Sequence, residues 1–374
     1  MHITKVVCVP ADIPYRKTFR ISGGGMDVCQ NVLVKIVADD GTAGYGEGSP
    51  LPAYSEETQG TVIHIIRDML GPALIGQDPR DRDRLDALME SAIHAHAFAK
   101  GALSMALYDL AGKAIGVPVY QLLGGKRTDR VPYNATVGIS TLEEMVTDAC
   151  KLVQDGFTDI KIKIGHSLRE DLARLHAIRQ AVGPDITIRV DANQGYRSGD
   201  ALPALRKMES VGLLWFEQPV PRWDLDGMAR LARELETNIL ADESAYTPAD
   251  VMALARHEAA DVINIKISKY GLGNAKRMAA VAEAASLPCM VGCMTVMGLA
   301  TAASIHFCCA NDFPYTSELD GPLFLADDVL VGNPYSTPLA EKAWPVPEGP
   351  GFGVSLKPAF DDALNAELER TARD

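Results

Sequence analysis

The sequence predicts an α/β protein, a TIM-type (β/α)8 barrel preceded by an α+β domain, and three observations carry that prediction. From about residue 131 to 319, strand-like apolar runs alternate with helical patterns, the rhythm of a parallel sheet with crossover helices. Within that stretch Lys161, Asp191, Glu217, Asp242 and Lys266 follow one another at steps of 24 to 30 residues, each at the end of a strand. The first 125 residues break this rhythm, and a length of 374 residues leaves room for a barrel of about 250 plus a further domain.

Taken in order, residues 3–15 and 31–38 read as strands, and Asp40-Gly41 reads as a hairpin turn leading into Thr42–Glu47. Helical patterns follow over 56–73, 80–92 and 98–115, and Gly124-Gly125 ends this capping domain, residues 1–125. Barrel strands are expected at 131–138, 159–165, 185–191, 213–218, 238–243, 261–267, 288–293 and 314–319, within a domain spanning 126–325. The remaining segment, 326–374, carries Pro334, Pro338, Pro345, Pro347 and Pro350, and is expected to run back to the first domain.

Two local patterns attract no role. Gly44-Tyr45-Gly46-Glu47-Gly48 follows a hairpin instead of opening a βαβ unit, which excludes a dinucleotide fingerprint. His94 and His96, at an expected helix start, lack a third metal partner and read as structural.

A net charge of −13 with no basic cluster argues against nucleic acid or an anionic membrane as partner. The start Met1-His2-Ile3-Thr4-Lys5 has no signal-peptide pattern, and no apolar run reaches about 18 residues. Seven cysteines without CxxC pairing suit reduced thiols, so a cytoplasmic protein is expected. Cys308-Cys309 reads as helix core.

The chemistry starts at Asp159-Ile160-Lys161-Ile162-Lys163-Ile164-Gly165. Side chains in a strand alternate faces, so the isoleucines point one way and both lysines the other, toward the barrel interior. Asp191, Glu217 and Asp242 end three consecutive strands and offer only hard oxygen ligands, a set that suits Mg2+, with Mn2+ the alternative. Strands two and six lie opposite each other in a ring of eight, so Lys163 and Lys266 are expected to face each other across the metal. A carboxylate substrate would then have one lysine on each face of its α-carbon, a layout for removing a proton and returning one from the other side. Lys161 and the dication should lower the pKa of Lys163; Lys161 is assigned to electrostatics and Lys163 and Lys266 to proton transfer. The competing readings are helix caps at the strand ends and a structural ring of salt bridges.

The KxK strand, the Asp, Glu and Asp strands, Asn264-Ile265-Lys266, and Ala106-Leu107-Tyr108-Asp109-Leu110 with Leu122-Leu123-Gly124-Gly125 together resemble the enolase superfamily, in its muconate-lactonizing-enzyme subgroup. The resemblance covers nearly the whole chain. It implies a modified barrel under an α+β cap that the C-terminal tail completes, Mg2+ on Asp191, Glu217 and Asp242, and Lys163 and Lys266 as the acid/base pair. Asn193, Glu243 and Asn264 are expected to support that set. Family members are often dimers or octamers, and a homo-oligomer is expected. The mandelate-racemase subgroup uses a strand-seven His, but that strand here reads Val291-Gly292-Cys293-Met294.

For the substrate, the resemblance points to capping loops at Arg20–Met26 and Ser49–Tyr54, with Gly23-Gly24-Gly25 favouring a mobile lid. Tyr54, Met294, Thr295, Glu318 and Asp320 are the candidate substrate-binding residues. Dipeptide epimerases of the family carry Asp-x-Asp on strand eight to bind the substrate ammonium; this chain has Glu318-x-Asp320, which departs from that pattern at Glu318. The alternative for Asp320 is a structural acid at a strand end. The expected activity is racemisation or epimerisation of a dipeptide or other amino-acid derivative. Cycloisomerisation of a muconate-like diacid and dehydration are other outcomes of the same enolate, and a non-catalytic metabolite-binding barrel is the reading from a different class.

Overall fold

The computed structural model describes residues 1–371. The chain opens with an antiparallel sheet of β1 (Ile3–Ile21), β2 (Gly24–Ala38) and β3 (Ala43–Gly48) in the order β1-β2-β3. The alternating glycines of β3 are packing requirements. A Cβ at Gly44 would lie 2.2 Å from the carbonyl oxygen of Ala106, and one at Gly46 2.0 Å from that of Ala102, so only bare backbone lets the buried Ala97–Ile115 helix lie this close.

The capping elements differ from expectation in two places. Residues 20–26 are not an open loop: Phe19 pairs with Met26, Arg20 with Gly25 and Ile21 with Gly24, so they form the tip of a long hairpin. Gly24, at φ +131°, supplies the reversal that other residues resist. The expected 56–73 helix begins at Gln59, capped by Thr58, and passes through a π turn at Ile66–Leu70. Glu57 stays outside because its carboxylate accepts Phe98 N–H at 2.8 Å and caps the next long helix. His96, at φ +56°, sits at the N-terminal end of that helix.

A parallel sheet follows, in the order β5 to β11: β5 (Ala135–Val137), β6 (Asp159–Lys163), β7 (Thr187–Asp191), β8 (Trp215–Glu217), β9 (Asn238–Ala241), β10 (Val262–Ile265) and β11 (Cys289–Val291). The expected first barrel strand, 131–138, divides in two. β4 (Arg130–Pro132) leaves to pair antiparallel with β12 (Ala343–Pro345), and only β5 enters the parallel sheet. The expected eighth strand, 314–319, is not a continuous ladder. It closes the ring through Asn134 N–H to Ser317 O (3.0 Å), Ser317 N–H to Pro132 O (3.1 Å) and Glu318 N–H to Val291 O (2.8 Å). Pro314 at its start has no N–H to donate.

Alternation on β6 holds as expected, with Ile160 and Ile162 buried on one face and Lys161 and Lys163 on the other. The tail packs its Pro358–Thr371 helix against β1, and Asp361 accepts from Lys35 Nζ and from the Tyr45 hydroxyl, both at 2.8 Å. Among the described residues no helix is long and apolar enough to cross a membrane.

Candidate active site

Strand register brings the expected groups together. Lys163 pairs with Asp191 across β6 and β7, and Asp191 with Glu217 across β7 and β8; Asp242 follows β9. One carboxylate oxygen from each of Asp191, Glu217 and Asp242 lies within 4.8 Å of the others, and all three residues are buried. Lys161 Nζ stands among Asp191 (2.9 Å), Glu217 (2.7 Å) and Glu318 (2.8 Å). Lys163 Nζ bonds Asp191 at 2.6 Å, and Lys266 Nζ bonds Asp242 at 2.6 Å. The expected 261–267 strand ends at Ile265, because the Tyr270 hydroxyl takes the Lys266 N–H at 2.8 Å and the chain turns into a helix there.

Lys269 was not anticipated. Its ammonium donates to Asp242 at 2.6 Å and lies 4.7 Å from the centre of the Tyr246 ring. Burial pulls its pKa below the ordinary lysine value although Asp242 opposes this. Lys161 goes the other way: burial favours its neutral form, but Asp191, Glu217 and Glu318 outweigh it and hold the ammonium charged. Six acids meet here (Asp191, Glu217, Asp242, Glu243, Glu318 and Asp320) with four lysines (161, 163, 266 and 269). The converging, all-oxygen donor set of Asp191, Glu217 and Asp242 fits a divalent ion of the Mg2+ type.

The three supporting residues fall where expected. Asn193 accepts from Lys163 Nζ (3.1 Å) and donates its N–H to Asp191 (2.8 Å) and its amide to Glu243 (3.2 Å). Asn264 donates to Glu217 at 3.1 Å. Burial, with Asp242 and Asp191 adding to it, pushes Glu243 up to about 7. Gln218, which sequence reasoning passed over, accepts from the N–H groups of Asp242 (3.1 Å) and Ser244 (3.0 Å) and holds the Asp242 turn. Its position next to Glu217 was the available signal.

Above the lysines lies a small cavity of about 70 Å3. Tyr15, Phe19, Ile21, Met26, Leu51 and Phe324 form its apolar wall, and Tyr54, Met294, Thr295, Glu318 and Asp320 also line it. Glu318 Oε1 and Asp320 Oδ2 are buried with no hydrogen-bond partner. Two unsatisfied carboxylate oxygens beside a cavity call for a donor from outside the protein.

Comparison with known proteins agrees with this constellation. Residues 3–124 match the family model for the mandelate racemase/muconate lactonizing enzyme N-terminal domain, and residues 144–360 match the enolase C-terminal domain-like model. The chain is 34% identical to the N-succinyl-L-Arg/Lys racemase of Bacillus cereus, covering 95% of this chain and 96% of that protein. It is 31% identical to the chloromuconate cycloisomerase of Pseudomonas putida, covering 96% and 97%. The dipeptide epimerase of Enterococcus faecalis, solved in complex with Mg and the dipeptide L-Leu-L-Tyr, superposes with a TM-score of 0.90 at 33% identity, covering 95% of this chain and 100% of that one. With both halves of the chain matched, the protein belongs to the mandelate racemase/muconate lactonizing enzyme group of the enolase superfamily.

Proposed function

We propose that this protein is a Mg2+-dependent racemase or epimerase that moves a proton at the α-carbon of a carboxylate substrate, an amino-acid derivative with a cationic nitrogen such as a dipeptide. The observation that carries the reading is Lys163 and Lys266 opening into one cavity, each tied to a different carboxylate of the Asp191, Glu217 and Asp242 set. Those three residues would hold the ion, with Mn2+ an alternative occupant of the same oxygens. A bound Mg2+ supplies Lewis-acid stabilisation for the charge that proton removal leaves on the substrate carboxylate.

The protein's own groups do the rest. One lysine, as the neutral amine, takes the α-proton; the other, as the ammonium, returns a proton to the opposite face, and the two exchange roles for the other epimer. Lys161, fixed among three carboxylates, holds a positive charge in the site. Asp320 takes the substrate nitrogen, because its free oxygen faces the cavity. Glu318 spends one oxygen on Lys161 and offers the other. Tyr54, Met294 and Thr295 shape the wall. A muconate-like diacid would place its second carboxylate against these acids, which disfavours the cycloisomerase alternative.

In this reading residues 1–125 cap the site, 126–325 carry the chemistry and 326–371 brace the two; the last residues of the expected 326–374 segment lie outside the described residues. Seven free cysteines support a reducing, cytoplasmic setting, and a dimer or octamer follows the family habit. The test is proton NMR in D2O with Mg2+ on dipeptides, N-acylated amino acids and muconates. Loss of the α-proton signal from a derivative with a cationic nitrogen supports the reading; exchange confined to neutral N-acyl amino acids, or conversion of a muconate to a lactone with every amino-acid derivative inert, contradicts it.

A further inference from the structure

The hairpin tip and the active-site lysine are joined by a directional chain of hydrogen bonds. Tyr54 Oη accepts the Gly23 N–H at 2.6 Å and shares a bond of 2.9 Å with Ser22 Oγ. Ser22 has one proton, and it goes to the backbone carbonyl of Asn193 at 3.0 Å. The phenol must therefore donate to Ser22, and the chain runs from Gly23 N–H through Tyr54 O–H and Ser22 O–H to Asn193 C=O. Burial pushes the Tyr54 phenol up to about 12, so it keeps that proton.

Asn193 is the residue whose side chain accepts from Lys163 Nζ. It stands in the left-handed region at φ +42°, and Gln194 beside it at +66°. Two consecutive non-glycine residues there cost free energy and persist only where the surroundings hold them. Asp191, through the Asn193 N–H, and Gln218, whose carbonyl takes the Gln194 N–H at 2.7 Å, hold this turn from the barrel side. The Ser22 hydroxyl holds it from the cap. Tyr54 is itself anchored to the barrel by the Tyr246 hydroxyl, which donates to its carbonyl at 3.3 Å. Gly23 belongs to the same construction: a Cβ there would lie 2.7 Å from Tyr54 Oη, so a side chain would displace the phenol.

We infer that Tyr54 is a positioning residue: through Ser22 it clamps the strained Asn193 turn and so aims Lys163, coupling seating of the hairpin tip to one of the two acid/base lysines. The inference rests on the reading of Lys163 as a proton-transfer group. It departs from the expectation that Tyr54 serves mainly as a substrate contact. It also predicts an asymmetry, because among the described residues no comparable chain from the capping domain reaches Lys266, whose ammonium bonds Asp242 and whose N–H goes to the Tyr270 hydroxyl.

The experiment measures α-proton exchange with D2O separately from each epimer, in the parent protein and in Tyr54→Phe, Ser22→Ala, Gly23→Ala and Ser22→Thr. The expected result is a loss of about tenfold or more in the exchange that Lys163 catalyses, with the Lys266-catalysed exchange and KM within about twofold of the parent. Ser22→Thr, which keeps the hydroxyl, should restore most of the rate. Equal losses from both epimers, or a rise in KM with kcat unchanged, would overturn the assignment. Hydrogen exchange of residues 192–196 supplies a readout independent of turnover: Tyr54→Phe should deprotect this turn, and unchanged protection would overturn the clamp. A parent protein inactive toward every amino-acid derivative, yet deprotected by Tyr54→Phe, would contradict the proposed reaction and leave the clamp standing.

Discussion

Asp320 and Lys269 show how differently single residues express themselves in a buried cluster. Asp320 has one oxygen without a partner, so a cationic substrate gains a charge-assisted bond there. Asp320→Asn should lower kcat/KM for substrates with a free ammonium by about 30-fold, roughly 2 kcal/mol, while neutral N-acyl analogues change little; equal losses for both classes would assign the residue a structural role. Lys269 shares the buried Asp242 carboxylate with Lys266, so removing it leaves one Asp242 oxygen without its ammonium. Lys269→Met should destabilise the protein in EDTA by about 2 kcal/mol, read from thermal unfolding, and saturating Mg2+ should narrow the gap by neutralising Asp242. A gap unaffected by Mg2+ would detach Lys269 from the ion site. Lys161, Lys163 and the three carboxylates were readable in the sequence because period-two alternation turns both lysines to one face and the acids recur at the ends of successive strands. Lys269 escaped because a lysine three residues after Lys266 resembles a solvated helix turn. Gly271, at φ +75°, breaks the helix just after it.

At the level of elements, the deviations from expectation have backbone causes. Strand one divides around Pro132 and strand eight is reduced to a few bonds after Pro314, since neither proline donates to a ladder. Residues 20–26 read as a glycine-rich lid because composition does not reveal pairing register, which cross-strand partners fix. The Gly298–Ala310 helix carries a testable electrostatic feature. His306, fully buried, accepts the Tyr120 N–H at Nδ1 (3.2 Å) and lies 3.1 Å from Phe352 O at Nε2, which fixes the neutral tautomer with Nε2–H donating. Burial lowers its pKa to about 4. The unfolded chain takes up the proton near its ordinary value of about 6.5, so stability contributed by neutral His306 is complete above that pH and is lost as pH falls toward 4. The contribution is about 3 kcal/mol, and His306→Gln should flatten the difference in unfolding free energy between pH 7 and pH 4 by that amount. An identical pH profile in the variant would remove His306 from the acid response.

For the whole molecule, the site exists only where the two parts meet. The barrel supplies lysines and carboxylates, the capping sheet supplies the apolar wall through Tyr15, Phe19, Ile21 and Met26, and the tail helix ties to that sheet through Asp361. Fold and polar floor were largely readable because they follow periodicity; the wall was not, because Tyr15 ends an expected strand and Ile21 and Met26 fall in an expected loop, and neither pattern says what packs over them. The central claim is that Lys163 and Lys266 act from opposite faces of one carbon, and separate Lys163→Ala and Lys266→Ala variants test it most directly through α-proton exchange in D2O with Mg2+. The account predicts that neither variant interconverts the epimers, and that each retains exchange from one epimer only, a different one in each case. Loss of exchange from both epimers in both variants, or interconversion surviving in either, would contradict it.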